Sequence, residues 1–325
     1  MKDYYIFKSG RLSRKDNSVF LETNEGNIPI PVEEVDSLYL FGEIDLNTKA
    51  INFFAQKGIV IHFFNYYGWY TGSFCPKENL LSGEVVVRQA EHYLDNEKRM
   101  QIAREFVKGA MHGFIYNLKR YPEVENEVFR TFETYTNSVD EQTDIQALMG
   151  VEGNARELYY STFPVITKHK IEFEKRVKHP PDNSMNALIS FLNSLVYTSV
   201  IKEIYRTQLN PTISYLHEPF YRRFSLALDV AEIFKPIYGD RIIFDLINNS
   251  QISEKHFDKD LNYCYLKEDG RKIVVKAFDE KMKTTIVHKK LKRKVSYQKI
   301  IRLELYKLIK HFLGEASYKA FRIWW

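Results

Sequence analysis

Only two cysteines, Cys75 and Cys264, occur among the 325 residues. Two thiols supply neither a disulfide framework nor a structural zinc set, and they point to a reduced, cytoplasmic setting. Long apolar runs are missing too. Nowhere do eighteen or more apolar residues follow one another, so no membrane span is expected. The opening residues MKDYYIFKSG read as a strand and lack the basic-then-apolar layout of a secretory leader. Charge of one sign is not in large excess. A net charge of +5 permits nucleic acid as a partner without demanding it. Neither an internal repeat nor a low-complexity tract is present. What is plentiful is core material, with 44% hydrophobic and 15% aromatic residues. The length suggests two domains.

Residues 1–85 read as a β-rich domain. Tyr4–Phe7, Val19–Thr23, Asn27–Ile30, Ser37–Phe41 and the apolar Ile59–Phe64 are short strand-like runs. Leu46–Lys57 reads as one helix, stopped by Gly58. Gly68–Gly72 turns the chain into a further hairpin strand. Proline is then absent from Val85 to Tyr121, where Gly109 and Gly113 are the only glycines. One or two long helices are expected there. The boundary is drawn within residues 82–88, and residues 86–325 read as a larger, all-α domain, so the fold class is α+β. Met185, Leu188, Ile189, Leu192, Leu195 and Val196 form a helical stripe that Asp182 or Ser184 would cap. Tyr263–Tyr265 and Ile273–Val275 flank the turn-like Glu268–Arg271 and read as a small hairpin. A helix from Ser296 to Phe312 follows.

Three places hold acids, imidazole or base in unusual settings. In Met149–Arg156, two glycines bracket Glu152 at or near a helix start. The plain alternative is a carboxylate favoured by the helix dipole. His217 stands before Glu218-Pro219, at an element boundary where it would face either a cleft or ordinary packing. On a helix over 222–232, Asp229 and Glu232 are three apart and share a face, close enough to share a cation. Their apolar neighbours make unpaired charges there costly. Pairing with Arg222, Arg223 or Lys235 is the alternative. Carboxylates with one imidazole suit Mg²⁺ or Mn²⁺ rather than zinc. Lys168–His179, with Arg176 and Lys178, and Lys289–Lys294, with Lys292 and Arg293, are basic segments fit either for phosphate or for a solvated surface.

Four blocks in order carry a resemblance: Gly150–Ala155; Arg176–Asp182 leading to Asn186–Ser190; Leu216-His217; and Arg223–Glu232. With Ile30–Val35, Phe41–Glu43 and Gly58–Phe64 they make the whole chain similar to the CRISPR-associated endonuclease and integrase family of spacer acquisition. The resemblance implies an N-terminal β-domain that serves dimerisation, a helical catalytic domain and a two-fold homodimer. It implies metal ligation by Glu152, His217 and Glu232, with Asp229 assisting. Arg223 and Asn186 match positions expected to support the site or contact phosphate. Lys178 and Lys235 stand where the family often has Arg, keeping charge but losing the bidentate fork. DNA and a second small adaptation protein (Cas-two) are the implied partners, and metal-dependent cleavage and transesterification the implied reactions. Two other readings compete. One is a general metal-dependent nuclease on branched or single-stranded nucleic acid. The other is a non-catalytic DNA scaffold, against which the acidic cluster argues.

Overall fold

The computed structural model describes residues 2–77, 80–178, 180–219, 224–260 and 263–325. The chain divides into two compact units, residues 1–81 and 82–325.

The first unit runs β1 (Lys2–Ile6), β2 (Gly10–Lys15), β3 (Ser18–Thr23), β4 (Gly26–Ile30), β5 (Val35–Leu40), β6 (Ile44–Leu46), α1 (Thr48–Gln56), β7 (Val60–Phe64) and β8 (Tyr70–Phe74). Two four-stranded sheets result, in the orders β1-β5-β7-β8 and β4-β3-β2-β6. In the first, β1 and β7 both run parallel to β5, and β8 returns antiparallel to β7. Leu12, Val19, Leu21, Leu38, Leu40, Phe54 and Ile61 form the core of this unit. Strand β2 was not visible in the sequence, because Leu12 is its single fully buried side chain and the rest is polar. Helix α1 begins at Asn47, whose side chain accepts from Ala50 N at 2.9 Å. It buries Ala50, Phe53 and Phe54, the i, i+3, i+4 face. Each buried phenyl contributes roughly 1.5–3 kcal/mol. Gly58 follows with φ +69°, a left-handed stop that favours glycine.

The second unit is mostly helical: α2 (Gly83–Leu94), α3 (Asn96–Leu118), α4 (Asn126–Ser138), α5 (Ile145–Ser161), α6 (Phe163–Ile166), α7 (Ser184–Ile204), α8 (Ser225–Phe234) and α9 (Arg241–Asn248). Then come β9 (Phe257–Asp260), β10 (Tyr263–Leu266), α10 (Glu268–Lys283), β11 (Thr285–Val287), β12 (Lys294–Ser296) and α11 (Tyr297–Phe312). The proline-free stretch is two helices, because Asp95 breaks the first and caps the second, accepting from Lys98 N at 3.1 Å. Helix α7 is long and apolar enough to cross a membrane by composition alone, yet most of it is buried inside this unit. Its cap is Asn183, which accepts from Asn186 N at 2.9 Å, and neither Asp182 nor Ser184 fills that place.

The expected hairpin is corrected. Tyr263–Leu266 pairs with the preceding Phe257–Asp260, and Ile273–Val275 lies within α10. Buried Arg271, Val274, Val275, Phe278 and Met282 follow helical spacing, so tertiary burial outweighs the strand preference of Ile and Val.

Helix α8 is buried along almost its whole length and packs against α3 and α7. It runs directly into a π-helical turn, Lys235–Asp240, before α9. Such turns interrupt the regular ladder. Here the buried Asn117 of α3 donates to Pro236 O at 2.6 Å.

Candidate active site

Asp229 is fully buried on α8. Its Oδ2 accepts from the backbone N–H groups of Tyr215 at 2.7 Å and Leu216 at 3.0 Å. Its Oδ1 accepts from His217 N at 2.9 Å and lies 2.8 Å from His217 Nδ1. One carboxylate therefore holds the loop 215–217 and fixes the imidazole, leaving Nε2 as the ring atom for other chemistry. Further ties hold the loop: Arg99 Nε donates to Tyr215 O at 2.9 Å, Tyr215 Oη to Gln89 O at 3.1 Å, and Ser214 Oγ to His217 O at 2.6 Å. Burial pulls the pKa of His217 down. The bond to Asp229 and the charges of Asp229 and Glu232 outweigh it and raise it above the usual histidine value.

Glu232, one turn further along α8, does not turn to the same partners as Asp229. Both oxygens of Asp229 engage the loop. Glu232 Oε1 accepts from Lys235 Nζ at 2.5 Å, and Oε2 from a terminal nitrogen of Arg156. Burial pushes this carboxyl up, but the charges of Arg156, Lys235 and His217 prevail and hold it well below the usual carboxylate range.

Glu152 sits within α5, not at its start. That helix begins at Ile145, capped by Asp144, which accepts from Ala147 N at 2.8 Å. Gly150 and Gly153 are both helical. One turn on, Arg156 Nε donates to Glu152 Oε1 at 2.8 Å, and the same guanidinium bridges Glu152 and Glu232. Arg156 was not singled out from sequence. Its i+4 spacing from Glu152 was the available signal. Asp240, at the end of the π turn, was missed as well. Burial raises its carboxyl to about 7 against the opposing charge of Arg156.

The proposed phosphate contacts separate by place. Asn186 is fully buried and donates to Lys175 O at 2.9 Å and Asp182 Oδ1 at 2.7 Å. Arg176 donates to Asn186 Oδ1 at 3.0 Å and Ser190 Oγ at 2.9 Å. Both hold the 175–190 segment together. Lys178 is exposed, and its pKa is lowered by burial of part of the side chain and by the like charges of Arg156 and Lys235. Lys292 and Arg293 are exposed on the loop joining β11 to β12. Arg222, Arg223 and His179 lie outside the described residues.

A model of the CRISPR associated protein Cas1 family matches residues 4–280. The chain belongs to the Cas1 family. An endonuclease Cas1 of Thermodesulfovibrio yellowstonii is 52% identical, with the whole of both chains covered. The structure of a Cas1 protein from Thermotoga maritima is 43% identical and superposes with a TM-score of 0.90 over 99% of this chain and 100% of that one. A casposase bound to its integration product shares the fold at a TM-score of 0.86 and 17% identity, over 98% of this chain and 93% of that one.

Among the described residues, no three acidic, imidazole or thiol groups converge closely enough as they stand to enclose an ion. The donor chemistry nevertheless fits a hard divalent cation. Two carboxylates approach one guanidinium, and the imidazole engages a buried carboxylate through Nδ1, the usual backing of a metal-ligating histidine.

Proposed function

We infer that this Cas1 family member is the endonuclease and integrase of CRISPR adaptation, cutting DNA and joining 3′-hydroxyl ends to a phosphodiester at the edge of a CRISPR repeat. The observation that carries the reading is the Asp229–His217 pair beside Glu232, itself bridged to Glu152 through Arg156. Residues far apart in sequence are linked through these bonds, and the charges of His217 and Glu232 act on each other. Glu152, His217 and Glu232 would hold Mg²⁺ or Mn²⁺. Such an ion, when bound, neutralises phosphate oxygens and orients the attacking hydroxyl.

The protein's own groups do the rest. Asp229 holds the His217 ring in one orientation, with Nδ1 engaged and Nε2 available. Arg156, Lys235 and Lys178 place positive charge around carboxylates that would otherwise repel a phosphodiester. Transesterification passes through no covalent protein–DNA bond, so no serine or tyrosine nucleophile is required. A two-fold homodimer suits the joining of two DNA ends, since it offers two equivalent centres. DNA and the second small adaptation protein, Cas2, are the partners, and the cytoplasm is the place of action. Dimerisation is assigned to residues 1–85 and catalysis to residues 86–325.

The test uses the purified protein with its small partner, a labelled duplex and a supercoiled plasmid carrying a repeat. Joining of label to plasmid in Mn²⁺ but not in EDTA, lost in Glu152→Ala and His217→Ala, is the expected result. Cleavage without joining would favour a general nuclease. Activity surviving both substitutions would overturn the ligand assignment.

A further inference from the structure

Arg156 occupies the place where the two acidic ligands meet. One nitrogen of its guanidinium donates to Glu152, and another serves both Glu152 and Glu232. The remaining oxygen of Glu232 is taken by Lys235. The guanidinium is enclosed as well: its side chain is 15% exposed, and its carbon lies 5.4 Å from the centre of the Phe114 ring. Two nearly buried carboxylates so close together would repel each other without a cation between them. A divalent ion bound by Glu152 and Glu232 needs the same oxygen lone pairs. The two cations therefore compete for one set of acceptors.

We propose that Arg156 is an exchangeable counter-cation: a divalent ion enters by displacing its guanidinium from Glu152 and Glu232, so Arg156 sets the metal affinity of the site without being a ligand. This rests on the metal-site reading above. Ion uptake is then an exchange, and Glu152 and Glu232 remain neutralised whether or not the ion is present. Lys235 moderates the exchange from the other side of Glu232, whereas Arg156 spans both carboxylates.

Arg156 acts here as a positioning residue, so the test reads metal binding rather than turnover. Mn²⁺ binding to the full-length protein without DNA is measured by calorimetry and by the electron paramagnetic resonance signal of free Mn²⁺. Wild type is compared with Arg156→Met, Arg156→Lys and Glu232→Gln. The expected result is Mn²⁺ affinity on the order of tenfold tighter in Arg156→Met, the worth of about one charge-assisted bridge. Arg156→Lys should fall between, since a point charge loses the bridging fork. In EDTA, Arg156→Met should melt several degrees below wild type, and saturating Mn²⁺ should narrow that gap. Unchanged or weaker Mn²⁺ binding in folded Arg156 variants would overturn the proposal. If Arg156→Met does not fold, Arg156→Lys decides alone, and binding no tighter than wild type overturns it. Glu232→Gln separates the two readings. Loss of Mn²⁺ binding there leaves the metal site standing, and the Arg156 variants then decide whether exchange occurs. Wild-type binding by Glu232→Gln would remove the metal site and the exchange together.

Discussion

Asp229 is a carboxylate that serves by holding other groups. Its oxygens accept from three backbone N–H groups and engage one imidazole. Asp229→Asn should retain the fold but weaken Mn²⁺ affinity and strand transfer by about 10–100-fold, as the loss of a histidine's backing group commonly does. Asp229→Ala should in addition lower stability by several kcal/mol, because buried N–H groups are left without an acceptor. Denaturant unfolding beside a strand-transfer assay distinguishes the two, and a fully active Asp229→Asn would sink the positioning role. Asp240 gives a pH prediction of opposite character. Its folded value near 7 lies above its ordinary 3.8, so the unfolded chain releases the proton first. Between about pH 4 and 7 the folded state holds more protons, and stability falls as pH rises through that window. Asp240→Asn should therefore gain up to a few kcal/mol at pH 8 and little at pH 4. Equal effects at both pH values, read by thermal unfolding, would contradict this.

At the scale of elements, α8 is the part on which the site depends, since it carries Asp229 and Glu232 and leads into the π turn with Lys235 and Asp240. Its position against α3 is set by close packing. A Cβ on Gly109 of α3 would come within 2.9 Å of Ala320 Cβ and 3.3 Å of Ile233 Cγ1. Gly109→Ala should cost about 1–3 kcal/mol through overpacking, despite the better helix propensity of Ala. Strand transfer should fall with it as α8 shifts, and an unchanged melting temperature would show that the contact yields freely. Helical stripes such as that of α7 were legible because burial there follows the 3.6-residue period. Helix α10 was misread because three β-branched residues in a row, Ile273 to Val275, carry strand preference that only the packing of Val274, Val275 and Phe278 overrules. The π turn left no sequence signal beyond Pro236.

At the scale of the molecule, the basic groups are distributed rather than gathered on one element. The loop between β11 and β12 exposes Lys292 and Arg293, and Lys289 lies over the Trp324 ring at 5.3 Å. If the loop contacts DNA phosphates, replacing Lys292 and Arg293 by Ala should lower the slope of log affinity against log salt by about two. It should leave Mn²⁺ binding untouched. An unchanged salt slope would show that this loop faces solvent only.

The amino-acid sequence by itself determined the family, through distinct blocks that follow one another in order along the chain. It also showed a change from β-rich to helical composition in the low eighties, and it singled out Glu152, His217, Asp229 and Glu232 as candidates. Tertiary structure alone decided what those residues face. Periodicity reports which side of an element a residue occupies, but not which distant segment packs against that side. Asp229 and Glu232 share a helix and differ in partners, because a loop from residues 215–217 meets one and the α5 guanidinium meets the other. Long-range packing chooses between those partners, and no local pattern encodes it.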